Sequence, residues 1–304
     1  MIRVRHILCP VDFSDMSRHA LDHAVAFARW YKARVTVLHA HQIAMPNLGM
    51  PYVGPTSLEP FVLTETDRRE LLDRLDEYVA ADRASSGVDI ETVIDEAVSA
   101  PAAILQHAST DNADLIVIGT HGRSGFDRFV LGSVAEKVLR KSCCPVLTVP
   151  PHIPEAVPRR LDAMERIVCG IDFSASSLRA LEYASSLAAQ SGARVTVLHV
   201  LDVPPAGADL SGLAGFRAAL FNDAHHRLDE AITIAVPQGV PTDSLLLAGK
   251  SYRELLRVAG EQDANLIVLG VQGHGIIDRA FFGSTADHVV REAACPVLTL
   301  RARP

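Results

Sequence analysis

Two glycine-rich stretches hold the residues of this sequence that could do chemistry. The first runs from Gly119 to Ser133 with the spacing Gly-x2-Gly-x9-Gly-Ser, and the second repeats that spacing from Gly270 to Ser284. Each follows an apolar, strand-like run and precedes a helix-like segment. A strand, a glycine loop and a helix N-terminus in this order gather unpaired backbone N–H groups and the positive end of a helix dipole. Two copies at identical spacing therefore predict two anion sites, with phosphate as the expected anion.

Two questions about these loops stay open at the level of sequence. The glycines either let the backbone approach a ligand closely or only make tight turns, and the second interpretation has more weight for the second copy. The serine that ends each loop, Ser133 or Ser284, either caps the following helix or turns its hydroxyl toward a phosphate oxygen.

Internal repetition organises the whole chain. Residues 7–14 resemble 167–174, and two further segments recur letter for letter: residues 33–39 at 193–199, and residues 144–148 at 295–299. This predicts a duplicated domain, with units at 1–150 and 161–304 and a proline-rich, extended linker at 151–160.

Within each unit, strand-like and helix-like stretches alternate, which predicts an α/β fold with a doubly wound, mostly parallel five-stranded sheet. Ligands of such sheets lie at the carboxyl ends of the strands. The first strand of each unit ends at Asp12 or Asp172. Each carboxylate either accepts hydrogen bonds from an adenine or ribose, or caps the following helix together with Ser14 or its counterpart.

Composition excludes several classes of protein. The 304 residues are 48% hydrophobic with a formal net charge of −7, so no basic surface argues for nucleic acid. No apolar run reaches the roughly 18 residues that a membrane-spanning helix needs. The five cysteines have apolar neighbours and no metal-site spacing. They are expected to be buried, reduced thiols, which fits a cytoplasmic protein.

The glycine loops, the two aspartates, the Val-Leu-His of strand two and the Cys-Pro-Val-Leu of the last strand together resemble the universal stress protein family. The resemblance covers nearly the whole chain and is closest to tandem forms of the ATP-binding branch. It implies strand order 3-2-1-4-5 in each unit and bound ATP, alone or with Mg²⁺. It also implies pairing of the two units through the last strands, 145–149 and 296–300. Closed symmetric dimers are the commonest oligomer, so we also expect a homodimer.

The resemblance also implies the ligand-contacting positions in each unit. In the first unit these are Pro10, Val11, Asp12, Ala40, Gly119, His121, Gly122, Arg123, Gly132, Ser133 and Val134. In the second unit they are Gly170, Ile171, Asp172, Val200, Gly270, Gly273, Gly283, Ser284 and Thr285. The second loop has Gln272 in place of His121 and His274 in place of Arg123, so the two sites need not fill equally.

Three functions follow as hypotheses. The first is a regulatory protein of the stress response whose bound ATP sets its conformation or assembly. The second is a slow ATPase or phosphotransferase, for which His121 is the one candidate base and no metal cluster accompanies it. The third is an interaction scaffold with one degenerate nucleotide site. The proline- and glycine-rich stretch at 41–60 is either a surface excursion or a lid.

Overall fold

A computed structural model describes residues 2–43, 63–120, 131–151, 164–202, 214–271 and 282–302. Their strands are β1 (His6–Pro10), β2 (Arg34–Gln42), β3 (Ile90–Ala97), β4 (Leu115–Gly119), β5 (Val146–Val149), β6 (Arg166–Ile171), β7 (Arg194–Leu201), β8 (Thr242–Ala248), β9 (Leu266–Gly270) and β10 (Val297–Leu300). Their helices are α1 (Asp15–Tyr31), α2 (Glu65–Ser86), α3 (Ala100–Thr110), α4 (Ser133–Lys141), α5 (Ala175–Ser191), α6 (Ala214–Ala235), α7 (Ser251–Glu261) and α8 (Ser284–Glu292).

The strands form one continuous sheet in the order β3-β2-β1-β4-β5-β10-β9-β6-β7-β8. Each half has the predicted order 3-2-1-4-5, and all pairings within a half are parallel. The predicted α/β fold with two doubly wound units is therefore confirmed. The two five-stranded sheets do not stand apart, because the last strand of each half pairs with the other.

The seam between the halves is the antiparallel pair β5–β10, in which Leu147 lies opposite Leu298. The Thr148 hydroxyl donates to the carbonyl oxygen of Val297 at 3.1 Å, and the Thr299 hydroxyl donates to that of Val146 at 3.1 Å. These two bonds are related by an approximate twofold axis through the seam. Antiparallel pairing also places the strand carboxyl ends of the two halves at opposite edges of the sheet.

Helices cover both faces of the sheet, so strand residues alternate between two cores. Helices α1, α2, α5 and α6 pack on one face, around Phe27, Leu75 and Leu181. Helices α3, α4, α7 and α8 pack on the other, around Ile104 and Val289. Each core contains residues of both halves, so the two halves share two continuous hydrophobic cores.

Local sequence explains where the helices start. The Ser14 side chain accepts a hydrogen bond from the backbone N–H of Ser17, and Ser174 does the same for Ser177. Thr64 and Asp67 form a capping box at the start of α2. None of the described helices combines enough length with enough hydropathy to cross a membrane.

The cysteines depart from expectation at one position. Cys9, Cys169 and Cys295 are buried and Cys144 is partly buried, but Cys143 is exposed. The prediction of a buried thiol is therefore wrong for Cys143. That residue lies in the turn between α4 and β5, where its side chain leaves the core while the next one enters it.

Candidate functional site

The carboxyl ends of β1, β2 and β4 and the first turn of α4 enclose a cavity of about 310 Å³. Every predicted first-half residue that the structure describes lines this cavity. They are Pro10, Val11, Asp12, Ala40, Gly119, Gly132, Ser133 and Val134. The predicted residues His121, Gly122 and Arg123 lie outside the described part of the chain, as do residues 44–60 of the proline- and glycine-rich stretch.

The N-terminus of α4 faces the cavity with its backbone donors. Gly132 is the N-cap and no side-chain hydrogen bond caps the helix. The first helical bond runs from the N–H of Glu136 to the carbonyl oxygen of Gly132 at 2.9 Å. The N–H groups of residues 133–135 therefore have no partner within the helix, and all three residues line the cavity. This geometry suits an anion.

The position of Ser133 decides one question that the sequence left open. Because Gly132 takes the N-cap position, Ser133 is the first helical residue, and the interpretation of this serine as the cap is wrong. The same holds for Ser284, which follows the N-cap Gly283. In both halves the loop ends with a backbone bond. Gly132 donates to the carbonyl oxygen of Thr120 at 2.8 Å, and Gly283 to that of Val271 at 2.9 Å.

Asp12 supports the start of α1 and also lines the cavity. Its Oδ1 accepts the backbone N–H of Ser14 at 3.1 Å and the Ser14 hydroxyl at 2.5 Å. Ser14 in turn caps α1, so Asp12 supports the cap indirectly. The same residue lines the cavity. Asp172 repeats the first contact, accepting the N–H of Ser174 at 3.0 Å.

Sequence reasoning missed several residues of the cavity wall. Leu38, Ile104 and Ile118 make it apolar, and Ser17 and His39 add polar groups. His39 could have been found, since it directly precedes Ala40 at the end of β2. Ile104 could not, because nothing in the sequence of α3 distinguishes Ala100 and Ile104, which line the cavity, from its other residues. An apolar wall opposite a helix N-terminus suits a ligand with a flat ring and an anionic group.

The second half places its predicted residues on the matching elements. Gly170 and Ile171 end β6, Val200 is in β7 and Gly270 ends β9. Asp172 follows β6, and Gly283, Ser284 and Thr285 form the start of α8. Gly273 lies outside the described residues.

Two glycines of the second half have a packing role. A Cβ on Gly170 would lie 2.7 Å from a methyl group of Leu269 and 2.8 Å from one of Leu255. The first half has Pro10, Ile118 and Ile104 at the matching positions, so the floor of the crevice is packed differently. A Cβ on Gly270 would lie 2.5 Å from the backbone nitrogen of Ser177. Gly270 therefore allows β9 to approach α5 closely.

Lys250 lies between β8 and α7. It is the N-cap residue of α7, and its Nζ lies 3.1 Å from a carboxylate oxygen of Asp202. Within the described residues, no group of three or more His, Cys, Asp or Glu side chains is placed to hold a metal ion.

The described geometry is that of a known family. The model of the universal stress protein family matches the chain twice, at residues 3–150 and 164–301. The chain belongs to the universal stress protein family. Both halves of this tandem member carry the family's domain, and the resemblance in the sequence is confirmed.

Individual proteins that resemble this chain belong to the same family. A universal stress protein of Methanocaldococcus jannaschii is 36% identical over 145 residues, which cover 48% of this chain and 81% of that protein. A universal stress protein of Mycolicibacterium smegmatis is 26% identical over 307 residues and covers 98% of this chain and 97% of its own length. A solved universal stress protein from Archaeoglobus fulgidus matches with a TM-score of 0.67 at 21% identity, covering all of both chains. That last likeness shows the shared fold.

Proposed function

We propose that this universal stress protein is an ATP-binding regulator of the stress response, and that the bound nucleotide sets its conformation or its assembly. One observation carries the proposal. The first-half cavity collects eight residues that the family resemblance implied, from four elements, around the bare N-terminus of α4. The apolar wall packs against the adenine, and the N–H groups of residues 133–135 donate hydrogen bonds to phosphate oxygens. Cytoplasmic location, a homodimer and ATP bound alone or with Mg²⁺ belong to the same proposal.

A single substitution can remove one of these donors without disturbing the helix. Ser133→Pro deletes the N–H at the first helical position, where proline is favoured because that N–H has no helical partner. The preceding Gly132 has φ −59° and ψ 140°, a conformation that proline accepts in its predecessor. The chain already carries Pro101 in the first turn of α3. The matched control Ser133→Ala removes only the hydroxyl.

The experiment is an ATP titration of the purified protein by calorimetry, preceded by release of any co-purified nucleotide under denaturing conditions. We expect the dissociation constant of the first site to rise about 10- to 100-fold in Ser133→Pro, since a hydrogen bond to a charged oxygen is lost. Ser133→Ala should change it less. Absence of adenine nucleotide in the protein, together with no binding on titration, would reject the proposal.

A second candidate is a scaffold in which the second half no longer binds nucleotide. The observation that favours it is the different packing at Gly170, where Leu255 and Leu269 fill the space beside the backbone. The stoichiometry of the same titration distinguishes the two. Two nucleotides per chain favour two working sites, and one per chain, abolished by changes in the first half alone, favours the scaffold.

A further inference from the structure

A bulky residue follows the strand-one aspartate of each half in an unusual backbone conformation. Phe13 has φ 63° and Phe173 has φ 64°, both in the left-handed region that side chains of this size rarely adopt. Such a conformation persists only where the surroundings hold it, and it occurs preferentially at functional sites. Because both halves have this conformation at the same position, we expect contacts of the two phenylalanine rings to stabilise it.

Each phenylalanine ring contacts an imidazole, with the two ring planes tilted by 42° or 44°, and a guanidinium; we call these three groups the Arg–Phe–His stack. The ring centroids of Phe13 and His39 are 4.6 Å apart, and the Arg74 guanidinium carbon lies 4.2 Å from the centre of the Phe13 ring. The second half repeats this with Phe173, His199 at 4.4 Å and Arg227 at 4.2 Å. A cation over the face of an aromatic ring is attracted by the ring's quadrupole.

The two histidines connect the stacks to the carboxyl ends of β1 and β6 by hydrogen bonds. Nδ1–H of His39 donates to the carbonyl oxygen of Val11 at 2.8 Å, and Nδ1–H of His199 donates to that of Ile171 at 2.8 Å. Each of these carbonyls belongs to the residue just before the aspartate. On the other side of the aspartate, the phenylalanine reverses the chain, so that the N–H of Ser14 reaches back to Asp12 and that of Ser174 to Asp172.

In the first half this arrangement connects directly to the cavity. Val11, Asp12 and His39 line it, Phe13 lies behind His39, and Arg74 comes from α2. The order from the cavity outward is therefore imidazole, phenyl ring, guanidinium, helix. We propose that the Arg–Phe–His stack is the positioning element that holds the strand-one end in its nucleotide-binding conformation. This inference rests on the proposed function, and it makes α2 and α6 part of the binding apparatus without contact to the ligand.

Two pairs of substitutions test the stack in the full chain. Phe13→Gly with Phe173→Gly removes the rings but suits the positive φ, so stability should change little while the dissociation constant for ATP rises about 10-fold through lost preorganisation. Arg74→Met with Arg227→Met keeps the aliphatic part of each side chain and removes the cation. This pair should raise the dissociation constant for ATP about 5-fold. Arg74→Lys with Arg227→Lys should recover part of the loss. Arg69→Met, an exposed arginine elsewhere on α2, is the control and should leave affinity unchanged.

Stability is measured on the same variants by urea unfolding, because a stack that only supports folding would change stability and leave affinity alone. Unchanged affinity in both pairs, with ATP binding intact in the wild type, overturns the inference and leaves the proposed function standing. No ATP binding by the wild type overturns both. If the glycine pair fails to fold, the methionine pair decides, since both arginines are exposed on helix surfaces.

Discussion

At the level of single residues, the two halves of the chain fill corresponding parts of their cores with different side chains. Pro10, Ile104 and Ile118 of the first half correspond to Gly170, Leu255 and Leu269 of the second. The leucine methyl groups occupy the space that a side chain at position 170 would need. Gly170 is thus fixed by its neighbours, although its φ is not in the region reserved for glycine.

This packing predicts that Gly170→Ala destabilises the protein. The new methyl group would force Leu255 and Leu269 to move, and overpacking of this kind costs about 1–3 kcal/mol of unfolding free energy. Gly260→Ala is the matched control, since it lies in α7 with nothing within 4 Å of the new Cβ and should stabilise by up to about 1 kcal/mol. Urea unfolding of both variants checks the prediction, and equal effects would contradict it.

Cys143 is expected to be the reactive thiol of the native protein. It is exposed, and the hydrogen bond from the neighbouring Cys144 thiol lowers the pKa of Cys143 to about 6. Burial raises the pKa of the thiols of Cys9 and Cys169, which lie in the core. At pH 7, iodoacetamide should therefore label Cys143 first.

Mass spectrometry of the alkylated protein identifies the labelled thiol. Cys143→Ala, which copies Ala294 of the second half, should abolish rapid labelling. Cys144→Ala should move the midpoint of the pH–rate profile upward, because the hydrogen-bond donor is gone. Rapid labelling of Cys9 or Cys169 in the folded protein would show that the described burial does not hold in solution.

At the level of elements, His199 near the carboxyl end of β7 makes the stability of the protein depend on pH. Burial, more than any other cause, lowers the pKa of His199. The unfolded chain, with its pKa near 6.5, therefore binds a proton before the folded protein does as pH falls. Proton binding by the unfolded state favours unfolding, so this group reduces stability as pH decreases below about 6.5.

His199→Asn should weaken this dependence on pH, because the amide can still donate to the carbonyl of Ile171 but does not titrate. Urea unfolding at pH 7.0 and pH 5.5 provides the measurement. The loss of unfolding free energy between the two values should be smaller in the variant than in the wild type. His6, whose pKa is also lowered mainly by burial, contributes in the same direction in both proteins. An equal loss would contradict the assignment.

The sequence predicted the elements better than it predicted their contacts. Apolar runs before Gly119 and Gly270 and the repeated segments predicted a duplicated, doubly wound sheet. The family resemblance supplied its strand order and the positions that line the first cavity. The Arg–Phe–His stack could not be found this way. Arg227 follows Arg74 by 153 residues, which matches neither the offset of 160 in the early part of the unit nor that of 151 in the later part. The partner of Phe13 depends on how α2 lies across the sheet, which no local pattern encodes.

At the level of the whole molecule, the seam should hold the halves together without the linker. A protease site inserted between residues 155 and 156 would allow the chain to be cut there. We expect the two fragments to elute together in gel filtration, because β5–β10 pairing and both cores cross the seam. The uncut protein is the reference. A cut Leu147→Asp, Leu298→Asp variant should dissociate, since both leucines are buried. Dissociation of the cut wild type would contradict the prediction.

Antiparallel joining of the halves also determines the electric field of the molecule. Within one half, helices that follow parallel strands point their positive ends toward the same rim, so their dipoles add. Across the seam the two sets oppose each other and largely cancel, while the positive ends of α4 and α8 lie at opposite rims. Under the proposed function, a partner seated on one rim would meet the nucleotide site of one half only. A readout of both sites would require two partners or one that contacts both rims.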